Sequence, residues 1–153
     1  MLTGFAAAFS DPAQLAMVFK LLLAASLGAV IGYEREMQSR PAGLRTHVLV
    51  SMGACIFAML AFAAYVGTGN EGIMASSIVI GIGFLGAGTI LRQNNKIFGL
   101  TTAASLWLMA SIGVAVATGF YLLAIAATVM GFFVLSIKPI EGTIHQKAKR
   151  AKR

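Results

Sequence analysis

The sequence predicts an all-α polytopic membrane protein: a bundle of five transmembrane helices, N-terminus outside and C-terminus inside. Three observations predict it. The 153 residues are 58% apolar and only 11% charged, against roughly 45–50% apolar and about 25% charged in soluble domains. Apolar runs of membrane length recur along the chain, separated by turn signals. Basic residues alternate with connection number, as the positive-inside rule requires. This composition excludes an ordinary soluble enzyme, a disordered tail and a simple DNA-binding module.

A spanning helix needs about 20 mostly apolar residues, and the chain offers five such spans at about 12–33, 44–66, 72–91, 99–117 and 120–137. Asp11 suits the cap of the first, Pro12 its first helical position, and Gln14 stands three residues after the cap. The segment 1–11 reads as external. It has no positive stretch before the apolar run, so it does not resemble a cleaved signal. No charge occurs between Phe98 and Lys138, a stretch too long for one helix, and Thr118-Gly119 is its natural turn. The first loop has Arg35 and Arg40 with Arg45 just beyond, and the third has Arg92 and Lys96. Residues 139–153 form a basic tail, expected in the cytoplasm beside anionic membrane lipid. The single cysteine, Cys55, forbids an internal disulfide and reads as packing.

Small residues recur at four-residue spacing: Ala24, Gly28 and Gly32; Gly83 and Ala87; Gly113 and Ala117; Ala127 and Gly131. Apolar burial does not drive helices together in lipid, so close backbone approach matters more. These stripes suit a tight bundle, or a homo-oligomer contact. Lys20 falls inside the first span and is expected to snorkel outward or to pair with Glu71.

The polar residues gather at the inner end. Glu34, Arg35, Glu36, Arg40, Arg45, Thr46 and His47 flank a Pro41/Gly43 turn, and a Glu34–Arg45 ion pair would close that hairpin. The bland alternative is a solvated loop with positive flanks. Gly81, Gly83, Gly86 and Gly88 crowd the end of the third span, where glycine in a helix costs about 1 kcal/mol each relative to alanine in water. Either a neighbour packs closely there or the helix unwinds toward a ligand. Thr102 and Ser105, at the inner end of the fourth span, suit interhelical hydrogen bonds. Trp107 is expected to pack, with Ser105 or a carbonyl as partner for its N–H. No carboxylate lies clearly within a span, and there is no Ser/His/Asp-type set and no phosphate-binding loop. We therefore expect no enzyme, no catalytic residue, no cofactor, no metal site and no nucleic-acid partner.

Four stretches together resemble the MgtC/SapB family of bacterial inner-membrane proteins. They are Ile31-Gly32-Tyr33-Glu34-Arg35-Glu36, Arg40-Pro41-Ala42-Gly43-Leu44-Arg45-Thr46-His47, Gly81-Ile82-Gly83-Phe84-Leu85-Gly86-Ala87-Gly88 and Gly99-Leu100-Thr101-Thr102-Ala103-Ala104-Ser105-Leu106-Trp107. The resemblance covers roughly residues 15–135, and it rests on all four stretches in order. It implies five spans in the bacterial cytoplasmic membrane, and, for MgtC members, a link to growth in low magnesium and survival inside host cells. It further implies a regulator that binds the membrane part of F-type ATP synthase and restrains it, although such proteins were first labelled magnesium transporters. MgtC-like members carry a soluble C-terminal domain where this sequence has a short basic tail, so a short SapB-type member is expected. Three readings stay open: a non-enzymatic regulator docking on another membrane complex, a transporter or channel for Mg²⁺ or another small solute, and a structural membrane protein.

Overall fold

The computed structural model describes residues 11–65, 67, 71–93 and 96–137. The expected external segment up to residue 10, residues 68–70 of the second loop, and the basic tail lie outside the described residues. Five helices and one short hairpin follow in order: α1 (Pro12–Met37), α2 (Leu44–Tyr65), α3 (Glu71–Gly88), β1 (Leu91–Gln93), β2 (Lys96–Phe98), α4 (Leu100–Ala117) and α5 (Tyr121–Ser136).

Helix α1 begins as its sequence dictates. The Asp11 Oδ1 accepts the Ala13 amide at 2.9 Å, and Pro12 occupies the first turn. Charge ended the expected span at residue 33, but Glu34, Arg35, Glu36 and Met37 are good helix formers and the helix runs on through them. It stops where Ser39 turns left-handed (φ 53°), with Ser39 N donating to Glu36 O and Arg40 N to Arg35 O. Gly119 (φ 86°) closes α4 by the same pair of bonds, Gly119 N to Val116 O and Phe120 N to Ala115 O. The turn expected at Thr118-Gly119 is therefore present.

The third helix departs from expectation at its end. It is continuous to Gly88 rather than unwound, and it stops before Leu91 because Leu91 enters a strand. The expected loop over 92–98 is an antiparallel hairpin pairing Leu91 with Phe98, Arg92 with Ile97 and Gln93 with Lys96. Among the described residues the fold is helical apart from this hairpin and the connecting turns. Gly99 (φ 87°) joins it to α4, with its Cα against the Thr89 carbonyl, where no side chain fits.

Helix α4 is the hub, touching all four other helices, while α1 and α2 form the most extensive pair. The core joins Ala24 and Ile31 of α1, Cys55 of α2, Met109, Ile112 and Val116 of α4, and Ala124 of α5. Glycines set the spacing. A methyl group on Gly28 would lie 3.0 Å from the His47 carbonyl, and one on Gly32 2.7 Å from the Leu44 Cα. One on Gly113 would overlap the Ser51 carbonyl, and one on Gly131 would press on Leu108. The Gly83 and Ala87 stripe behaves differently: both are exposed, and among the described residues nothing lies within 4 Å of a methyl placed on Gly83.

The outer surface is apolar. Phe84 is 83% exposed and Leu122 82%, which in water would be a large aggregation hazard. Among the described residues three helices are long and apolar enough to cross a membrane (Pro12–Met37, Leu44–Ala64 and Leu100–Ala117), and two shorter apolar helices accompany them, Ser76–Gly88 and Tyr121–Ser136. Lys20 is expected to snorkel or to meet Glu71, whose side chain lies outside the described residues. The Lys20 Nζ donates to the Ala117 carbonyl at 2.7 Å, at the C-terminal end of α4 where carbonyls lack helical partners and the helix dipole favours a cation.

These contacts sort the glycines experimentally. Gly113→Ala should lower stability by about 1–3 kcal/mol through overpacking. Gly83→Ala should raise it by roughly 0.5–1 kcal/mol through helix propensity. Thermal unfolding of the purified protein in detergent checks both.

Candidate functional site: a buried polar cluster and an open groove

The C-terminal end of α1, the N-terminal ends of α2 and α4, the hairpin and the C-terminal end of α5 meet at one end of the bundle. The sequence-selected polar residues lie here, but they divide into three environments.

The first is buried. Glu34 is 7% exposed, Arg35 2% and His47 0%. Glu34 accepts a short hydrogen bond from the Gln38 amide, and Gln38 Nε2 also reaches the Leu135 carbonyl of α5 at 3.5 Å. Arg35 Nη1 stands 3.9 Å from Glu34 Oε2. The expected Glu34–Arg45 pair does not form. The extension of α1 brings Gln38 onto Glu34, while Arg45 is exposed on α2. Glu34 Oε2 and Arg35 Nε are buried without hydrogen-bond partners. Sequence reasoning passed over Gln38. Its signal was its place four residues after Glu34, where amide and carboxylate meet on one helix face.

The second environment is the α2–α4 contact. His47 Nδ1 lies 2.9 Å from the Gly43 carbonyl, and Nε2 lies 3.0 Å from Ser105 Oγ. Ser105 Oγ in turn lies 2.8 Å from the Thr102 carbonyl. Thr102 and Ser105 are buried, so these two fourth-helix residues join the polar set through His47. Ser51, one turn further along α2, donates to the Ala24 carbonyl at 2.9 Å and ties α2 to α1. Glu36 works at the surface: its Oε2 accepts the Leu44 amide at 2.8 Å. A carboxylate there satisfies a free amide of α2 and complements its dipole. Arg40 is exposed and donates to Gln38 Oε1 at 3.3 Å.

The third environment is a groove of about 570 Å³ between α2 and α3. Arg45, Leu49, Gly53 and Phe57 border it at four-residue spacing on α2, and Gly81 and Leu85 do so on α3. Thr46 lies at the same end as Arg45. Among the described residues nothing lies within 4 Å of methyl groups placed on Gly53 or Gly81, so backbone is open to the groove at both. Of the other selected residues, Gly86 packs on Ala103 while Gly88 faces open space. Trp107 is 50% exposed, and no hydrogen bond from its indole is present among the described residues. Among the described residues Gly88 has no close neighbour and Trp107 is only half covered, because both sit toward the outward face of their helices.

Ser105→Ala removes the partner of His47 Nε2 and should cost about 1–3 kcal/mol. Ser111→Ala, an exposed change on the same helix, should stay within about 0.5 kcal/mol. Parallel thermal unfolding of the two variants reads the difference.

Comparison with known proteins matches the MgtC family over residues 21–142. The chain is 42% identical over 127 residues to the putative magnesium transporter YhiD of Escherichia coli K12, covering 78% of this chain and 59% of that protein. It is 45% identical over 113 residues to the protein MgtC of Salmonella typhimurium, covering 74% and 48%. An uncharacterized protein of Haemophilus influenzae is 37% identical over 153 residues, covering 94% and 64%. The chain thus spans about half to two thirds of the length of the curated relatives it matches. No solved structure matches. The helical bundle, its apolar surface and these matches over most of the chain lead to one assignment: the chain is a membrane protein belonging to the MgtC family.

Proposed function

We propose that this protein is a non-enzymatic regulator of the bacterial inner membrane, linked to low-magnesium adaptation, that docks on another membrane complex. F-type ATP synthase is the proposed partner, as the family resemblance implies. The proposed orientation places the polar end of the bundle inside, following the alternation of basic residues.

The groove between α2 and α3 is the observation that carries this reading. Helices in lipid associate through close backbone approach and a few polar contacts. Gly53 and Gly81 leave both backbones open to a visiting helix, and Arg45 stands at the groove's end as a polar contact. No segment among the described residues fills it. A helix of the partner would complete there the packing that α3 lacks within this chain.

The name of the Escherichia coli relative favours a second reading, a magnesium transporter. Mg²⁺ is held by one or two carboxylates with several waters. Glu34 and Glu36 are the carboxylates at the polar end among the described residues, and Glu36 already holds the Leu44 amide. This reading predicts Mg²⁺ flux into proteoliposomes, followed with an entrapped indicator.

The deciding measurement is ATP-driven proton pumping in inverted bacterial membrane vesicles. Vesicles containing the protein should acidify more slowly than vesicles without it. Arg45→Ala and Gly81→Leu, both at the open groove, should restore pumping while the bundle stays folded. Equal pumping with and without the protein would count against the regulator, and Mg²⁺ flux would then favour the transporter.

A further inference from the structure

We propose that the cavity at the polar end of the bundle is a binding site for a phosphate-bearing anion. This site is separate from the α2–α3 groove. The cavity has a volume of about 1180 Å³ and lies between the end of α1, the hairpin, the start of α4 and the end of α5. Its charged lining is Arg35, Arg40 and Lys96, and no carboxylate side chain is among the described residues that line it.

Two independent features point to an anion. The first is the N-terminus of α4. Residues Gly99, Leu100, Thr101 and Thr102 border the cavity, and the helix they begin is 18 residues long with no side-chain cap. The leading amides of such a helix lack intrahelical acceptors and carry the positive end of its dipole. Phosphate binds in this setting. Gly99, held left-handed at φ 87°, brings no side chain between those amides and the cavity.

The second feature is Arg35. Its side chain is 2% exposed, its Nε is buried without a hydrogen-bond partner, and it lines the cavity. The neighbouring Glu34 carboxylate, at 3.9 Å, is too far for a hydrogen bond. A buried guanidinium left short of acceptors is costly. An oxyanion in the cavity would supply them, since the planar guanidinium fork matches phosphate oxygens. Arg40 and Lys96, both exposed, add charge at the rim. Phosphate of this kind reaches the site from two sources: the headgroup of an anionic phospholipid, or free phosphate in the aqueous phase.

The test uses the full chain, purified in neutral detergent and also placed in nanodiscs. In one arm, inorganic phosphate is titrated against thermal unfolding, with sodium chloride at matched ionic strength as control. In the other, phosphatidylglycerol retention is measured by native mass spectrometry from nanodiscs, against phosphatidylcholine. At least one probe should bind selectively, and the arm that responds identifies the source. The double variant Arg40→Gln/Lys96→Gln, altered only at the exposed rim, should bind that probe about tenfold more weakly. Arg35→Gln should abolish binding; should it not fold, the rim variant alone decides. Stabilisation no greater than sodium chloride gives, with no preference for phosphatidylglycerol, would overturn the proposal. So would unchanged affinity in the rim variant.

Discussion

The close approach of three helix backbones at glycine is the constraint on which the rest depends. Gly28 and Gly32 of α1 lie against the backbone of α2, and Gly113 of α4 lies against the Ser51 carbonyl. A side chain at any of these points would push α2 away from α1 or α4. At the present spacing Ser51 reaches the Ala24 carbonyl, His47 reaches Ser105, and Cys55 closes into the shared core. In lipid the apolar faces gain little by meeting one another, so these polar bonds and van der Waals contacts hold the bundle. The buried polar end is thus a product of the same tight packing, one turn at a time from Ala24 to Glu34.

Much of this was legible in the sequence. Five helices could be placed because apolar length, Asp11-Pro12 and Thr118-Gly119 are local signals that tertiary packing did not override. The Ala24, Gly28 and Gly32 stripe also declared its face. What could not be read was direction. Gly83 and Ala87 of the third helix have the same spacing as Gly28 and Gly32 of the first, yet both are exposed. Spacing identifies a smooth face without saying what meets it. The Glu34–Arg45 pair failed for a related reason. Charge marks where a membrane span ends, but the helix continues to Met37, and that extra turn brings Gln38 onto Glu34. The hairpin had a signal that was passed over: Asn94-Asn95 flanked by Leu91, Ile97 and Phe98 is a composition suited to a two-residue turn.

The bundle is asymmetric in how well its parts are covered. Helix α4 is enclosed by four neighbours, whereas α3 leans on α2 and α4 and leaves Ile80 and Phe84 largely exposed. A protein that worked alone as a sealed bundle would gain from filling the space beside Gly53 and Gly81. That open space is what the proposed docking of a partner rests on. The cavity beside Arg35 differs in kind, since charge and amides rather than bare backbone line it.

The contact between His47 and Ser105 has a consequence for hydrogen counting. The Gly43 carbonyl is an acceptor only, so the ring nitrogen facing it carries a hydrogen. Ser105 has a single hydroxyl hydrogen and two acceptors in reach, the other ring nitrogen and the Thr102 carbonyl. When that hydrogen points to the ring, the imidazole is neutral. When it points to Thr102, a neutral ring loses that donor, and the 3.0 Å contact with Ser105 is then no hydrogen bond. The hydrogen bond that ties this buried ring to α4 therefore depends on the torsion of one hydroxyl, which the Thr102 carbonyl competes for.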